Sequence, residues 1–181
     1  MKQLIIIIGL PGSGKDTQIE LLAKLRKIEI IRIGDLIRQR ATTDQTVRQA
    51  LEAGDLVDYG IVNEMIQQQL ESFADGSVII SDGFPRDVDQ AKWVEEYAQS
   101  HDINVAKYLL IDISDEESLQ RLLKRGRHDD SQTIIQNRIA VFHRLTDEVI
   151  SHAKEQGIFV AVDGAGDPLE ISQRIKTALQ W

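Results

Sequence analysis

Leu4–Thr17 reads LIIIIGLPGSGKDT, and the interpretation of the rest of the chain depends on it. Leu4 to Ile8 form an unbroken, isoleucine-rich apolar run. Such a run suits a strand buried on both faces of a parallel sheet. Gly9, Gly12 and Gly14 follow at once and let the backbone turn tightly with its N–H groups directed inward. That geometry cradles a polyphosphate against the N-terminus of the next helix. From Gly9 to Lys15 the spacing is G-x-x-x-x-G-K, which puts Lys15 within reach of the outer phosphates. The Ser or Thr that ordinarily follows this lysine is missing: Asp16 stands there, and Thr17 comes next. A plain glycine-rich turn with a surface lysine is the alternative, but it leaves the order strand, loop, amphipathic helix unexplained.

With 181 residues the chain is expected to fold as one domain, 1–181, large enough to bury a true core. It is 42% hydrophobic and 28% charged, as soluble globular proteins are. Its formal net charge of −8 argues against a general nucleic-acid binder, which needs a basic face. A nucleotide would have to be held by a local cluster of Arg and Lys against the overall field. The lack of cysteine removes a disulfide, a thiol nucleophile and a Cys-ligated zinc. The N-terminal apolar run is too short for a membrane span and lacks a signal-peptide cleavage region. A cytoplasmic monomer is expected, without membrane or nucleic-acid partners.

Five short apolar runs, at 3–9, 28–33, 77–82, 106–113 and 157–163, read as strands separated by helical stretches. This alternation predicts an α/β fold, a five-stranded parallel sheet with helices on both faces and right-handed crossovers. Ligands of such sheets bind beyond the C-terminal ends of the strands. What sits at those ends is therefore decisive.

The first strand end is the phosphate loop, leading into a helix over 14–26 with Ile19, Leu22 and Leu25 on one face. The second ends in Ile31-Arg32-Ile33-Gly34-Asp35, where Asp35 reads as a helix N-cap. Arg38 is either a solvated helix charge or an anion ligand, and its segment alone favours the former. Val47–Val57 follows, with Gly54 as a helix C-cap, and then a helix over 58–73 with Ile61, Met65 and Leu70 as core positions. The third strand ends in Asp82-Gly83-Phe84-Pro85-Arg86. An acid there, in a phosphate-loop protein, suits a magnesium site and often acts through water. Capping the turn is the simpler alternative. Gly83 and Pro85 make a tight turn that holds Arg86 near the same crevice. Gln90, early in a helix over 87–100, can donate and accept hydrogen bonds as base recognition requires. Its local context favours an ordinary exposed glutamine.

Arg121, Arg125, Arg127 and Arg138 fall within eighteen residues of an acidic protein. A solvated helix with i,i+4 pairs would interleave carboxylates, and Asp129 and Asp130 are the only nearby acids this reading admits. Arginine also favours forked recognition of phosphate, so the group reads as phosphate-binding. His101, His128, His143 and His152 show no metal spacing and no nucleophile partner, and read as surface or satisfied helix residues. The last strand ends in Asp163-Gly164-Ala165-Gly166-Asp167, whose glycines allow a ligand to approach the backbone closely. A helix from 168 to 179 closes the chain.

Taken together, these strand ends resemble the adenylate kinase family of nucleoside monophosphate kinases over nearly the whole chain. The segments that carry the resemblance are GLPGSGKDTQ at 9–18, GDLIR at 34–38, GDLV at 54–57, DGFPRDVDQA at 82–91, GRHDD at 126–130, Arg138, and VDG at 162–164. DGFPR with Gln four residues on, followed by the Arg…Asp-Asp…Arg group, is the specific part. The resemblance implies reversible transfer of the terminal phosphate of ATP to AMP, with magnesium, on a P-loop kinase fold.

On this resemblance Gly12, Ser13, Gly14, Lys15, Asp16 and Thr17 wrap the ATP phosphates. Arg121 lies against the ATP base, and Gly166 offers backbone to it. Arg38 and Arg86 hold the AMP phosphate. Ile33, Asp55, Leu56, Val57, Gly83, Phe84 and Pro85 line the AMP site, with Gln90 reading adenine. Arg125, Arg127 and Arg138 surround the transferring phosphoryl, oriented by Asp129, and with Lys15 and Arg86 form the catalytic set. Asp82 is the magnesium-site residue. Segments 34–73 and 121–131 are the parts that close over the substrates.

Four departures stand out against the family pattern. Asp16 replaces a Gly, Ile33 a Thr at the AMP base, and Arg32 a Ser, while the lid is minimal, with only Gly126 between Arg125 and Arg127. There is no zinc-binding quartet, as in short-lid members. Two other functions compete: a UMP/CMP-type kinase, on the strength of Ile33, and a nucleotide-binding sensor with little catalysis, on the strength of Asp16.

Overall fold

The computed structural model describes residues 1–53, 57–126 and 131–181. Its strands are β1 (Lys2–Ile8), β2 (Glu29–Arg32), β3 (Val78–Asp82), β4 (Ile103–Asp112) and β5 (Phe159–Asp163). Helices α1 (Lys15–Leu25), α2 (Ile33–Ala41), α3 (Gln45–Ala53), α4 (Tyr59–Ser72), α5 (Val88–Ser100), α6 (Asp115–Arg125), α7 (Gln132–Glu155) and α8 (Pro168–Leu179) separate and follow them. The sheet order is β2-β3-β1-β4-β5, and all four pairings are parallel. The chain leaves β1 in one direction and later crosses back over it from β3 to β4. Such a reversal opens a crevice beyond the C-terminal ends of the central strands.

Burial explains why β1 is apolar without alternation. Leu4, Ile6 and Ile8 face a core completed by Ile66 and Leu70 of α4, Val94 of α5 and Val149 of α7. Ile5 and Ile7 face the other way, onto Ile19 and Leu22 of α1 and Ile171 and Ile175 of α8. Each such side chain contributes about 1.5–3 kcal/mol when fully removed from water. A third, smaller cluster of Leu10, Ile113, Leu122, Ile135 and Ile139 fixes α6 and α7 beside the phosphate loop.

Several boundaries differ from the sequence reading for physical reasons. β4 begins at Ile103, before the expected 106, because Ile103–Val105 pair with Lys2–Leu4 ahead of a register shift between Leu4 and Ile5. That stretch alternates buried and less buried positions, so it lacks the continuous apolar run. β2 stops at Arg32, and Ile33 is the first residue of α2 rather than the last of the strand. Asp35 is accordingly inside the first turn and not the N-cap, a position held by Arg32 with no side-chain cap. Leu25 is 61% exposed, not on the buried face with Ile19 and Leu22. Two steps of three residues carry it about 120° round the helix from Ile19. Gly54 lies outside the described residues.

Candidate active site

The phosphate loop is held in shape by contacts within the chain. Gly14 is left-handed, with φ 92°, and leads into α1 without a side-chain cap, so the helix N–H groups remain available. Ser118 Oγ donates to Pro11 O at 2.6 Å, and Arg121 Nη1 lies 3.4 Å from both Gly12 O and Ser13 O. Arg121 Nη2 donates to Gly164 O at 2.9 Å and also meets the Glu117 carboxylate. One side chain thus ties the loop after β1 to the loop after β5. Glu117, four residues before Arg121, is a helix partner that the sequence reading overlooked when it counted only Asp129 and Asp130 as nearby acids.

Lys15 Nζ donates to Gly9 O at 2.7 Å and to Leu10 O at 3.2 Å. Burial pushes its ammonium pKa down, while the carboxylates of Asp82 and Asp16 pull it back up. Asp82, at the end of β3, shows the converse: burial pushes its pKa up, and Lys15 opposes that shift. The Asp82 carboxylate has no hydrogen bond or ion pair among the described residues, and neither has that of Asp16. Lys2 Nζ donates to Leu70 O at 2.7 Å, and Lys24 is in the last turn of α1, so neither pairs with Asp16.

The turn after β3 holds a cis Phe84–Pro85 bond and Gly83 at φ +81°. A Cβ on Gly83 would lie 2.9 Å from Ile33 Cγ2, so this glycine permits the close approach of the β2 and β3 ends. Phe84 is buried against Trp93, edge to face at 6.1 Å. Arg86 Nε donates to Gly83 O at 3.2 Å, and its backbone N donates to Gln90 Oε1 at 2.9 Å. Gln90 is buried, not the exposed glutamine its local context suggested.

Two cavities meet at this turn. One, of about 770 Å³, is bounded by Gly9, Lys15, Pro85, Arg86 and the face of α7 that carries Arg138. The other, of about 680 Å³, is bounded by Asp16, Arg32, Asp35, Arg38, Asp82 and Arg86. Arg86 borders both. Arg38 is ion-paired with Asp35 one turn earlier. Ile33, Val57, Phe84 and Gln90 enclose a third, nearly closed space of about 20 Å³.

Arg125 ends α6. Gly166 is in the loop after β5 at φ +106°, where Arg174 Nη1 bonds Asp163 O at 2.9 Å and Ala165 O at 2.7 Å. Arg127, Asp129, His128, Asp55 and Leu56 lie outside the described residues. Three of the histidines have partners: His101 stacks on Tyr97, His143 bonds Asp115 at 2.9 Å, and His152 bonds Glu95 at 2.8 Å. Sequence reasoning missed Arg174, which reads as a surface i,i+4 partner of Glu170, and the Tyr59–Asp87 hydrogen bond across 28 residues. Neither carries a local signal.

The adenylate kinase family model matches residues 7–158. Curated relatives named adenylate kinase align along almost the entire chain. One from Prochlorococcus marinus is 33% identical over 183 residues, covering 99% of this chain and 100% of the relative. One from Parasynechococcus marenigrum is also 33% identical, with the same coverage. One from Thermus thermophilus is 30% identical over 185 residues, covering 98% of this chain and 97% of the relative.

Proposed function

The chain belongs to the adenylate kinase family, and from that premise we propose that it transfers the terminal phosphate of ATP reversibly to AMP, giving two ADP. The observation that carries the reading is the position of Arg86 between the cavity of Lys15 and Arg138 and the cavity of Arg38. Two anionic ligands on either side of Arg86 would meet end to end.

Phosphoryl transfer asks for in-line positioning and for neutralisation of charge spread over the moving group. Lys15 lies against the loop carbonyls and would exchange Gly9 O and Leu10 O for phosphate oxygens. Partial burial strengthens its field at that point. Arg38 and Arg86 would hold the acceptor phosphate. Arg125, Arg127 and Arg138 would cover the transferring group from the lid and α7. An AMP phosphate oxygen attacks the terminal phosphorus of ATP as the bond to the bridging oxygen breaks. No protein nucleophile takes part. Closure of segments 34–73 and 121–131 would exclude water, which otherwise competes as acceptor.

Magnesium fits this donor set. Asp82 is a partly buried carboxylate with no partner among the described residues, beside the phosphate loop. Magnesium ordinarily takes one or two carboxylates, several waters and the substrate phosphates, not a cage of protein ligands. Asp82 would hold it, directly or through water, and Thr17 is the hydroxyl that follows Lys15 in the first turn of α1. The ion supplies charge neutralisation on the outer phosphates of ATP.

Initial rates with AMP, CMP, UMP and GMP at equal concentration test the acceptor. Preference for AMP is expected. A clear preference for a pyrimidine nucleotide would move the chain to the UMP/CMP type.

A further inference from the structure

Three groups surround the small space between α2, α4 and the turn before α5. Gln90 Oε1 accepts from the backbone N–H of Arg86 at 2.9 Å, and this contact fixes the amide orientation, because an NH₂ cannot face an N–H. Nε2 of Gln90 has no hydrogen bond among the described residues, so Gln90 turns a donor toward the space. Asp87 lines the same space and is 9% exposed. Its Oδ1 caps α5 by accepting from Gln90 N at 3.0 Å, and its Oδ2 accepts from the Tyr59 hydroxyl. The enclosed volume, about 20 Å³, has room for about one water. A base needs far more room than this, so the walls must part for one to enter.

We propose that Asp87 selects the acceptor base: its carboxylate accepts a hydrogen bond from the exocyclic amino group of the base, replacing the Tyr59 hydroxyl that it holds in the empty protein. This rests on the reading of this face as the acceptor site. An ionised carboxylate accepts and cannot donate. Paired with the Gln90 N–H donor, it matches an edge that offers a ring nitrogen acceptor beside an amino group. Adenine and cytosine have that edge. Hypoxanthine and uracil have no exocyclic amino group and present an oxygen beside a ring N–H, which leaves Asp87 facing a carbonyl. The cost of that mismatch falls on a buried charge, where discrimination is steep. Ile33 cannot take part through hydrogen bonds, so Asp87 restores polarity that Ile33 removes from the pocket wall.

AMP and IMP differ at this edge alone, and the test compares them as acceptors with the same ATP. Asp87→Asn keeps the cap, since Asn is as good an N-cap as Asp, but can also donate. The AMP-over-IMP ratio of kcat/KM is expected to fall about tenfold, the value of a hydrogen bond to a charged group, with KM for ATP unchanged. A ratio equal to wild type in a variant that melts normally would reduce Asp87 to a helix cap and overturn the proposal. Should that variant fail to fold, Tyr59→Phe decides. Removing the competing hydroxyl is expected to lower KM for AMP severalfold while the AMP preference persists; an unchanged or higher KM overturns the exchange. If the wild-type protein makes no ADP from ATP and AMP, the acceptor-site reading itself falls, a result distinct from a normal wild type with an indifferent Asp87.

Discussion

The two ends of the crevice are built differently. On the phosphate-loop side the chain braces itself through contacts that a ligand need not disturb. Arg121 joins the loops after β1 and β5, Ser118 bonds the Pro11 carbonyl, and Arg174 pins Asp163 and Ala165. On the side proposed for the acceptor, the groups that would meet a ligand are occupied by each other. Arg38 pairs with Asp35, Tyr59 with Asp87, and the apolar walls leave about 20 Å³. The first side would need only Lys15 to trade Gly9 O and Leu10 O for phosphate, whereas the second would exchange several internal partners for external ones. Such an order would have a chemical use: an acceptor site that closes on the wrong contents, or none, does not present a phosphate oxygen to attack ATP.

Breaking the prepared side should have the largest effect. Lys15→Ala is expected to lower kcat by about 10²–10³, as for loss of one preorganised transition-state charge, with an unchanged fold by circular dichroism. Near-normal turnover would remove Lys15 from the mechanism. Breaking the adaptable side should act on one substrate only. Gln90→Ala is expected to raise KM for AMP by about tenfold, with little change for ATP, and to flatten base discrimination. Equal effects on both nucleotides would mean that Gln90 merely orders the turn through the Arg86 N–H.

Asp16 sharpens the contrast, because its charge on the phosphate-loop side would oppose a bound polyphosphate. The helix N-terminus favours it when the loop is empty, while bound phosphates repel it. Asp16→Ala is expected to tighten ATP binding about two- to fivefold and to lower the melting temperature of the empty protein slightly. Asp16→Gly should do the same with a further loss from glycine in a helix. Calorimetry of ATP with both variants checks this. Weaker binding in both would show that Asp16 helps to hold the nucleotide, through magnesium.

The smallest effect concerns how α7 is held to α6. A hydrogen bond to Asp115, with smaller help from Asp147, raises the His143 pKa above its ordinary 6.5. The folded state therefore binds this proton more tightly than the unfolded chain. The resulting stability is fully present below about pH 6.5 and is lost as pH rises through the raised folded value. The pair is 45% and 58% exposed at its two side chains, so solvent screening keeps the contribution to about 0.2–1 kcal/mol. His143→Gln should flatten that part of the melting-temperature profile between pH 6 and 8, and an identical profile would assign the slope elsewhere.

The same division decides what sequence could reveal. The sheet and the phosphate loop were legible because continuous apolar strands and a fixed-spacing glycine loop are local patterns. Residues 15–25 and 168–179 form helices almost at the limits read from sequence. The face proposed for the acceptor was less legible because it is assembled across distance. Gln90 looked exposed, although it is buried and lines an enclosed space with Phe84, Val57 and Ile33 and Ile37 of α2. Asp35 looked like a cap, although the turn begins two residues earlier because the last β2 pairing is Arg32 with Asp82. Tyr59 and Asp87, 28 residues apart, had no pattern to announce them.

The most direct test follows nucleotides by chromatography after mixing the protein with ATP and AMP, with and without magnesium. The account predicts two ADP for each ATP consumed, no product when AMP is withheld, and dependence on magnesium. Bound nucleotide without ADP, or ADP accompanied by stoichiometric inorganic phosphate in the absence of AMP, would contradict it.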